Sequence, residues 1–518
     1  MASQLMKPFG EALDVPATQD EIRSFAALQS NFSRSFQQIF DDLDAPRTIV
    51  IIPSLSLDQE IMTRVTGVSH YEERMLCFLL LLRLPRTRVV HVTSMPIHES
   101  IIDYYLHLLP GIPSRHARRR LTLLSCDNDS PVALTRKILT KPNMLQELKN
   151  AIDDVNSAHM TCFTVTELER RLAIALDIPI YGCDPSLLHL GSKSGSRKIF
   201  REAEIALPMG FEDLNYSDDI ARALAELKAM KPGLCKAVVK MNEGFSGEGN
   251  AVFDLTDAPK GARAAAWCKA RLPNMAFQAS AMSWEIYSAK FESMGGIVEE
   301  FIEGKVKESP SVQFRINPIG QPEAISTHDQ VLVGQSGQIF SGCRFPAKQD
   351  YRMEIQDYGA RAAEVLSKKG VLGRFGVDFI SVKDSGTWQH VAIEINLRKG
   401  GTTPPFLMLQ FLTDGRYSPD TGEFLTPSGR PRSYYASDNL ESDTYLGLTP
   451  DDLIDIAVMN HLYYHSEKSE GVAFHLIGAL EKFGKLGVVC IGRDQAHADA
   501  LYERTVAVLN RECPKPAI

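Results

Sequence analysis

The feature that most constrains this chain is a pair of apolar segments that carry acids, Gly376 to Lys383 (GVDFISVK) and Trp388 to Asn396 (WQHVAIEIN). Asp384, Ser385 and Gly386 between them are turn-forming residues, so the segments read as the arms of a hairpin. Phe379, Ile380, Ile393 and Ile395 predict that the hairpin is buried. Side chains alternate across a strand, so Asp378, Ile380 and Val382 share one face, and Ala392, Glu394 and Asn396 share a face of the second arm. With a four- or five-residue turn, Asp378 falls opposite Ile393 or Glu394. The longer turn brings Asp378, Glu394 and Asn396 together. Buried acids need partners or a metal. Three oxygen donors, two of them anionic, suit Mg²⁺, which is typically held by one or two carboxylates plus phosphate oxygens.

Three other segments point to a phosphate-bearing ligand. Ala237 to Lys240 is a short apolar strand, and NEGFSGEGN (242–250) follows before a return strand, Ala251 to Phe253. The tip, with Glu243, Gly244, Ser246, Gly247 and Gly249, exposes backbone N–H groups that can wrap phosphate oxygens. Lys240 is placed to reach an α- or β-phosphate. The loop leads into a strand, so it is neither a Walker A loop nor a Rossmann fingerprint. GSKSGSRK (191–198) opens a helix. Lys193 sits at its N-terminal end, where N–H groups and the dipole favour anions. GIVEEFIEG (296–304) is a strand running into a turn whose backbone offers a donor and an acceptor to an adenine edge.

In order, these elements resemble the ATP-grasp superfamily of carboxylate–amine ligases, over roughly residues 185 to 405. A narrower resemblance, to the pheganomycin-type peptide ligases, rests on GSKSGSRKIFREAEIALPMG, KMNEGFSGEGNAVF, STHDQVLVG, SGCRFPA, EINLRKGGTTPPF and GVAFHLIGALEKFGKLGVVCIG. The resemblance implies that Lys193 and Lys240 hold ATP phosphates under a flap, Glu243 to Gly249. It implies Glu299 as acceptor of the adenine amino group, with backbone contacts from Glu300 and Ile302. Asp378, Glu394 and Asn396 are then the ligands of about two Mg²⁺ ions, which Mn²⁺ could replace, and Arg398 faces the transferred phosphate. D-alanine–D-alanine ligases have a ribose-binding glutamate where Val306 stands, so Glu303 or Glu308 takes that role. They also have an arginine where Gly376 stands, which leaves Arg344 or Arg374 to fill it.

The implied fold is α/β, an ATP-grasp module behind a parallel α/β domain. At 518 residues about three domains are expected. A helical extension (1–46) puts Ile22, Phe25, Leu28, Phe32, Phe36 and Phe40 on one face. The parallel domain (47–190) takes strands at 48–53, 88–93, 121–125 and 178–181. A lid and nucleotide-binding part (191–305), a central part with the metal site (306–445) and a C-terminal α/β segment (446–518) follow. Residues 413–443 read as a long polar loop. His328, Asp329, Gln330 and Arg344 are candidates for substrate contacts, and Cys343 for core packing.

The expected activity is ATP-dependent amide formation through an acyl-phosphate, from small-molecule or peptide carboxylate and amine substrates. The alternatives are a nucleotide-binding regulatory or assembly module without turnover, or an ATP-grasp enzyme with a non-amine acceptor. Lys plus Arg is 56 against 64 Asp plus Glu, a net charge of −8 that argues against nucleic acid and requires local cations for any anionic ligand. The longest apolar run, Met75 to Leu82, is too short to span a membrane. Nine cysteines with no Cys-x-x-Cys spacing point to a reducing compartment, the cytoplasm. The Arg115 to Arg120 cluster reads as a solvated helix end or an anion contact. Oligomeric state is not readable from the sequence.

Overall fold

The computed structural model describes residues 11–40, 42–56, 67–244, 249–279, 282–333 and 339–513. Four parallel strands, β1 (Arg47–Ile52), β2 (Thr87–Thr93), β3 (Leu121–Ser125) and β4 (Ala158–Cys162), form a sheet of order β3-β2-β1-β4. The expected fourth strand at 178–181 is corrected: Ile180 only bridges Met160, and β4 takes the place. β4 reads AHMTC, and its His159 and Thr161 break the apolar run that marks a buried strand, although both are buried. The helix Gln19–Phe40 docks through Phe25, Phe32 and Phe36. Gln29 adds a two-way clasp, donating to the Ile180 carbonyl and accepting from its N–H, both at 2.9 Å.

The second sheet is antiparallel, with β5 (Gly210–Leu214), β6 (Lys236–Met241), β7 (Asn250–Asp254), β8 (Ala276–Phe277) and β9 (Gly296–Glu300) in the order β5-β9-β6-β7-β8. A larger sheet holds β10 (Val306–Glu308), β11 (Pro310–Ile316), β12 (Pro322–Val333), β13 (Ile339–Phe345), β14 (Gly373–Asp384) and β15 (Thr387–Asn396). It continues through β18 (Ser433–Glu441), β19 (Tyr464–His465), β20 (Glu470–His475) and β21 (Lys485–Gly492), so the C-terminal segment extends the central sheet.

The polar loop expected at 413–443 is also corrected. It contains a small hairpin, β16 (Arg416–Ser418) with β17 (Glu423–Leu425), and then the interior strand β18. β18 tolerates its polar residues because they find partners. Asp438 pairs with Arg74, and the Ser437 hydroxyl donates to the Ser341 carbonyl at 2.5 Å. All nine cysteines are free. Among the described residues no helix is long and apolar enough to cross a membrane.

Candidate functional site

The β14–β15 hairpin positions the acids by a bulge, not by a long turn. Its turn is two residues, Ser385 (φ 50°) and Gly386 (φ 91°), and both positive φ values suit a type I′ turn. From Asp384↔Thr387 to Phe379↔Ala392 the register is regular. It then shifts, so Asp378 lies opposite Glu394 and Gly376 opposite Asn396. The extra residue is Ile393. In an unbulged register Asp378 would face Ile393 instead. The Asp378 carboxylate accepts from the Asn396 and Gln330 side-chain amides, each at 3.0 Å. Burial and the facing Glu394 push Asp378 up to about 7, against the pull of Lys193 and Arg398. Burial also acts to raise Glu394, but Lys193, Lys240 and Arg398 outweigh it and hold Glu394 below the usual range.

Lys193 is the first residue of the helix Lys193–Glu202, and its ammonium pairs with Glu394. The expectation that this helix start offers free N–H donors is corrected. Lys193 N–H donates to the Asn242 carbonyl (3.2 Å), Ser194 N–H to the Asn242 side chain (2.9 Å) and Gly195 N–H to the Ser192 hydroxyl (3.0 Å). A Cβ on Gly195 would lie 2.0 Å from the His189 carbonyl oxygen, so only glycine fits this turn. Asn242 thereby staples the end of β6 to the helix, and the anion-facing group is the Lys193 side chain.

Lys240 is turned onto Glu299, Nζ to Oε1 at 2.5 Å. The other Glu299 oxygen takes Arg197 at 3.1 Å. Sequence reasoning missed Arg197. Its signal was its place four residues after Lys193, on the same helix face. Glu300 faces the other way and pairs with Lys231 at 2.5 Å. With Ile302, Glu303, Ile380, Val382 and Val391 it lines a cavity of about 350 Å³ between the segment 300–303 and the β14–β15 hairpin.

The main cleft, about 590 Å³, is lined by Lys193, Gly244, Gly249, Asp378, Glu394, Asn396 and Arg398. Ser246 and Gly247 of the expected flap lie outside the described residues. Arg74 and Asp438, a buried ion pair not foreseen from sequence, line the cleft's far wall. Among the described residues no group of three His, Cys, Asp or Glu could hold a metal alone. Two carboxylates and an amide fit a cation that also takes ligand oxygens.

Other candidates sit elsewhere. Arg344 is corrected: it bonds Asp499 at 3.0 Å and covers the Tyr435 ring, away from the cleft. His328 is buried against the Tyr434 hydroxyl (2.7 Å), and burial holds it down at about 3. Asp329 accepts from the Tyr351 hydroxyl (2.5 Å). Of that trio only Gln330 reaches the cleft. Glu308 pairs with Lys348. Cys343 is buried, and burial raises its thiol. In the 115–120 cluster, Arg118 holds Glu99 at 2.9 Å and Arg120 binds the Thr87 carbonyl at 2.8 Å.

A family described as IQCH-like, ATP-grasp matches residues 185–272 and 265–418, and the PGM1 C-terminal domain matches 452–505. The L-propargylglycine–L-glutamate ligase of Streptantibioticus cattleyicolor is 30% identical over 488 residues, 92% of this chain and 96% of that protein. IQ motif-containing protein H of Danio rerio is 21% identical over 404 residues, 69% of this chain but 38% of that protein. Two solved structures share the fold. The biotin carboxylase domain of the Hydrogenobacter thermophilus 2-oxoglutarate carboxylase has a TM-score of 0.55 at 12% identity, covering 90% of this chain and 94% of that one. The N5-carboxyaminoimidazole synthetase of Staphylococcus aureus, complexed with ADP, has 0.50 at 13%, covering 90% and 99%.

Proposed function

The chain belongs to the ATP-grasp family of ligases, and from that footing we propose that it joins an amino-acid or peptide carboxylate to an amine, through an acyl-phosphate. The observation that carries this reading is the convergence of Lys193, Arg398, Asp378 and Glu394 on one cleft. A carboxylate oxygen attacks the γ-phosphorus of ATP, and ADP leaves. The amine then attacks the acyl carbon, phosphate leaves, and the amide forms.

Lys193 and Arg398 neutralise the transferred phosphoryl group, and positioning with charge compensation supplies most of the acceleration. Lys240 exchanges Glu299 for a phosphate oxygen as ATP enters. The adenine lies against the hinge 299–303, with Ile380 and Val391 beneath it and Glu303 at the ribose. Asp378, Glu394 and Asn396 would hold Mg²⁺, which supplies charge neutralisation at the phosphate oxygens when bound. Gly244 and Gly249 line the cleft and bring backbone N–H groups toward the phosphates, which limits the access of water to the acyl-phosphate.

Nine free cysteines fit work in a reducing cytoplasm. The test is phosphate release across pairs of amino acids and dipeptides. A ligase releases phosphate only when ATP, a carboxylate and an amine are together. ATP-dependent thermal stabilisation with no phosphate from any pair would instead identify a nucleotide-binding module.

A further inference from the structure

Behind the cleft lies a second cavity, about 630 Å³, that shares no lining residue with it. The wall between them is one step of chain: Arg398 lines the cleft and Lys399 lines the rear cavity. The rear cavity is formed by the outer ends of β11, β12 and β14, the docked N-terminal helix and the parallel sheet.

Its charge does not balance. Across the strands Glu323 faces Arg315, and Arg315 faces Arg374. One carboxylate serves two arginines, and like charges directly opposite each other repel. Glu323 is committed to Arg315, and the other acid of the cavity, Asp414, is committed to Arg83. The Arg374 guanidinium makes no hydrogen bond or ion pair among the described residues. The ammonium of Lys399, a residue 7% exposed, donates to the Cys162 carbonyl at 2.6 Å and has no carboxylate partner among the described residues. Burial, then Arg315, pulls Arg374 down to about 10. Burial, with Arg374 adding to it, pulls Lys399 down to about 8. An inward-facing guanidinium without an acceptor is costly, and a fork of donors beside an ammonium matches a multivalent oxyanion.

We propose that the rear cavity binds a small multivalent oxyanion, a phosphate ester or a polycarboxylate, between Arg374 and Lys399. The site is separate from the ATP cleft, and the Arg398 guanidinium bonds the Lys399 carbonyl at 3.3 Å, so the two are mechanically joined.

The test is calorimetric titration of the full chain with pyrophosphate and, in a second arm, with citrate, both in saturating ADP so that the cleft is filled. One equivalent should bind despite ADP. Tighter pyrophosphate marks a phosphorylated ligand, and tighter citrate a polycarboxylate. Arg374→Met and Lys399→Gln should each weaken binding at least tenfold. Arg374→Met should also raise the anion-free Tm, because an uncompensated charge is removed. Failure of both anions to bind in ADP, or unchanged binding in both variants, overturns the proposal. So does an Arg374→Met chain whose anion-free Tm falls, since the arginine would then be a structural residue. None of these outcomes depends on turnover.

Discussion

The cleft and the rear cavity stand one residue apart, and they differ in which cations have a carboxylate partner. In the cleft region Lys193 is matched by Glu394, and Lys240 by Glu299. In the rear cavity Arg374 and Lys399 have no carboxylate of their own. A chain of net charge −8 thus handles anionic ligands in more than one way. Where a ligand comes and goes each cycle, the fold supplies internal counter-ions, and binding is an exchange of partners. The matched pairs also keep the cleft ordered before ATP arrives, because a buried charge left unpaired would destabilise the fold.

The largest effect that can break this comparison comes from the bulged hairpin. Glu394→Gln should lower kcat about a thousandfold, ~4 kcal/mol of transition-state stabilisation, because the anionic ligand proposed for Mg²⁺ and the Lys193 counter-ion are lost together. ATP affinity should fall far less. Steady-state phosphate release and calorimetry separate the two, and wild-type kcat in this variant would remove Glu394 from the site.

Next comes Lys240→Ala. It leaves Glu299 with Arg197 alone and removes the phosphate partner proposed for ATP. The KM for ATP should rise roughly tenfold to a hundredfold. An unchanged KM would make the Lys240–Glu299 pair purely structural.

A smaller effect comes from His159, a buried histidine that lines the rear cavity. Burial, then Arg47 and Lys399, depresses His159 to about 3. The unfolded histidine titrates near 6.5, so below that pH protons bind the unfolded chain preferentially. This neutral histidine therefore costs stability as pH falls from 6.5 toward 3, by about 2 kcal/mol at pH 5. Urea unfolding of His159→Leu should show a pH 7 to pH 5 loss smaller by that amount. An unaltered slope would mean His159 is not held neutral.

The smallest effect is Arg344→Ala. Tied to Asp499 outside both cavities, Arg344 should change kcat and KM by no more than about twofold. A large loss in either would return it to the site.

The hairpin was legible because its information is local: alternation, a turn signal and acids among isoleucines. The bulge was not, since nothing in EIN says which residue is extra. Sequence reasoning left Ile393 and Glu394 as alternatives, and the pairing chose Glu394. Arg74 was invisible because its partner Asp438 is 364 residues away. Arg344 misled because β13 carries it near the site in sequence while its side chain is held by Asp499. The strands β4 and β18 were missed because buried polar residues interrupt them. In β18 these are satisfied by distant partners, Arg74 for Asp438 and the Ser341 carbonyl for Ser437, and in β4 His159 and Thr161 are buried, so composition alone made both look like surface.

The proposed reaction activates a carboxylate as an acyl-phosphate in the cleft. Hydroxylamine tests it directly. With ATP, Mg²⁺ and a carboxylate substrate but no amine, the chain should yield the hydroxamate together with ADP and phosphate, and Lys240→Ala should yield much less. Hydroxamate accompanied by AMP and pyrophosphate would contradict the account, because it would mean adenylation and a different role for Arg398.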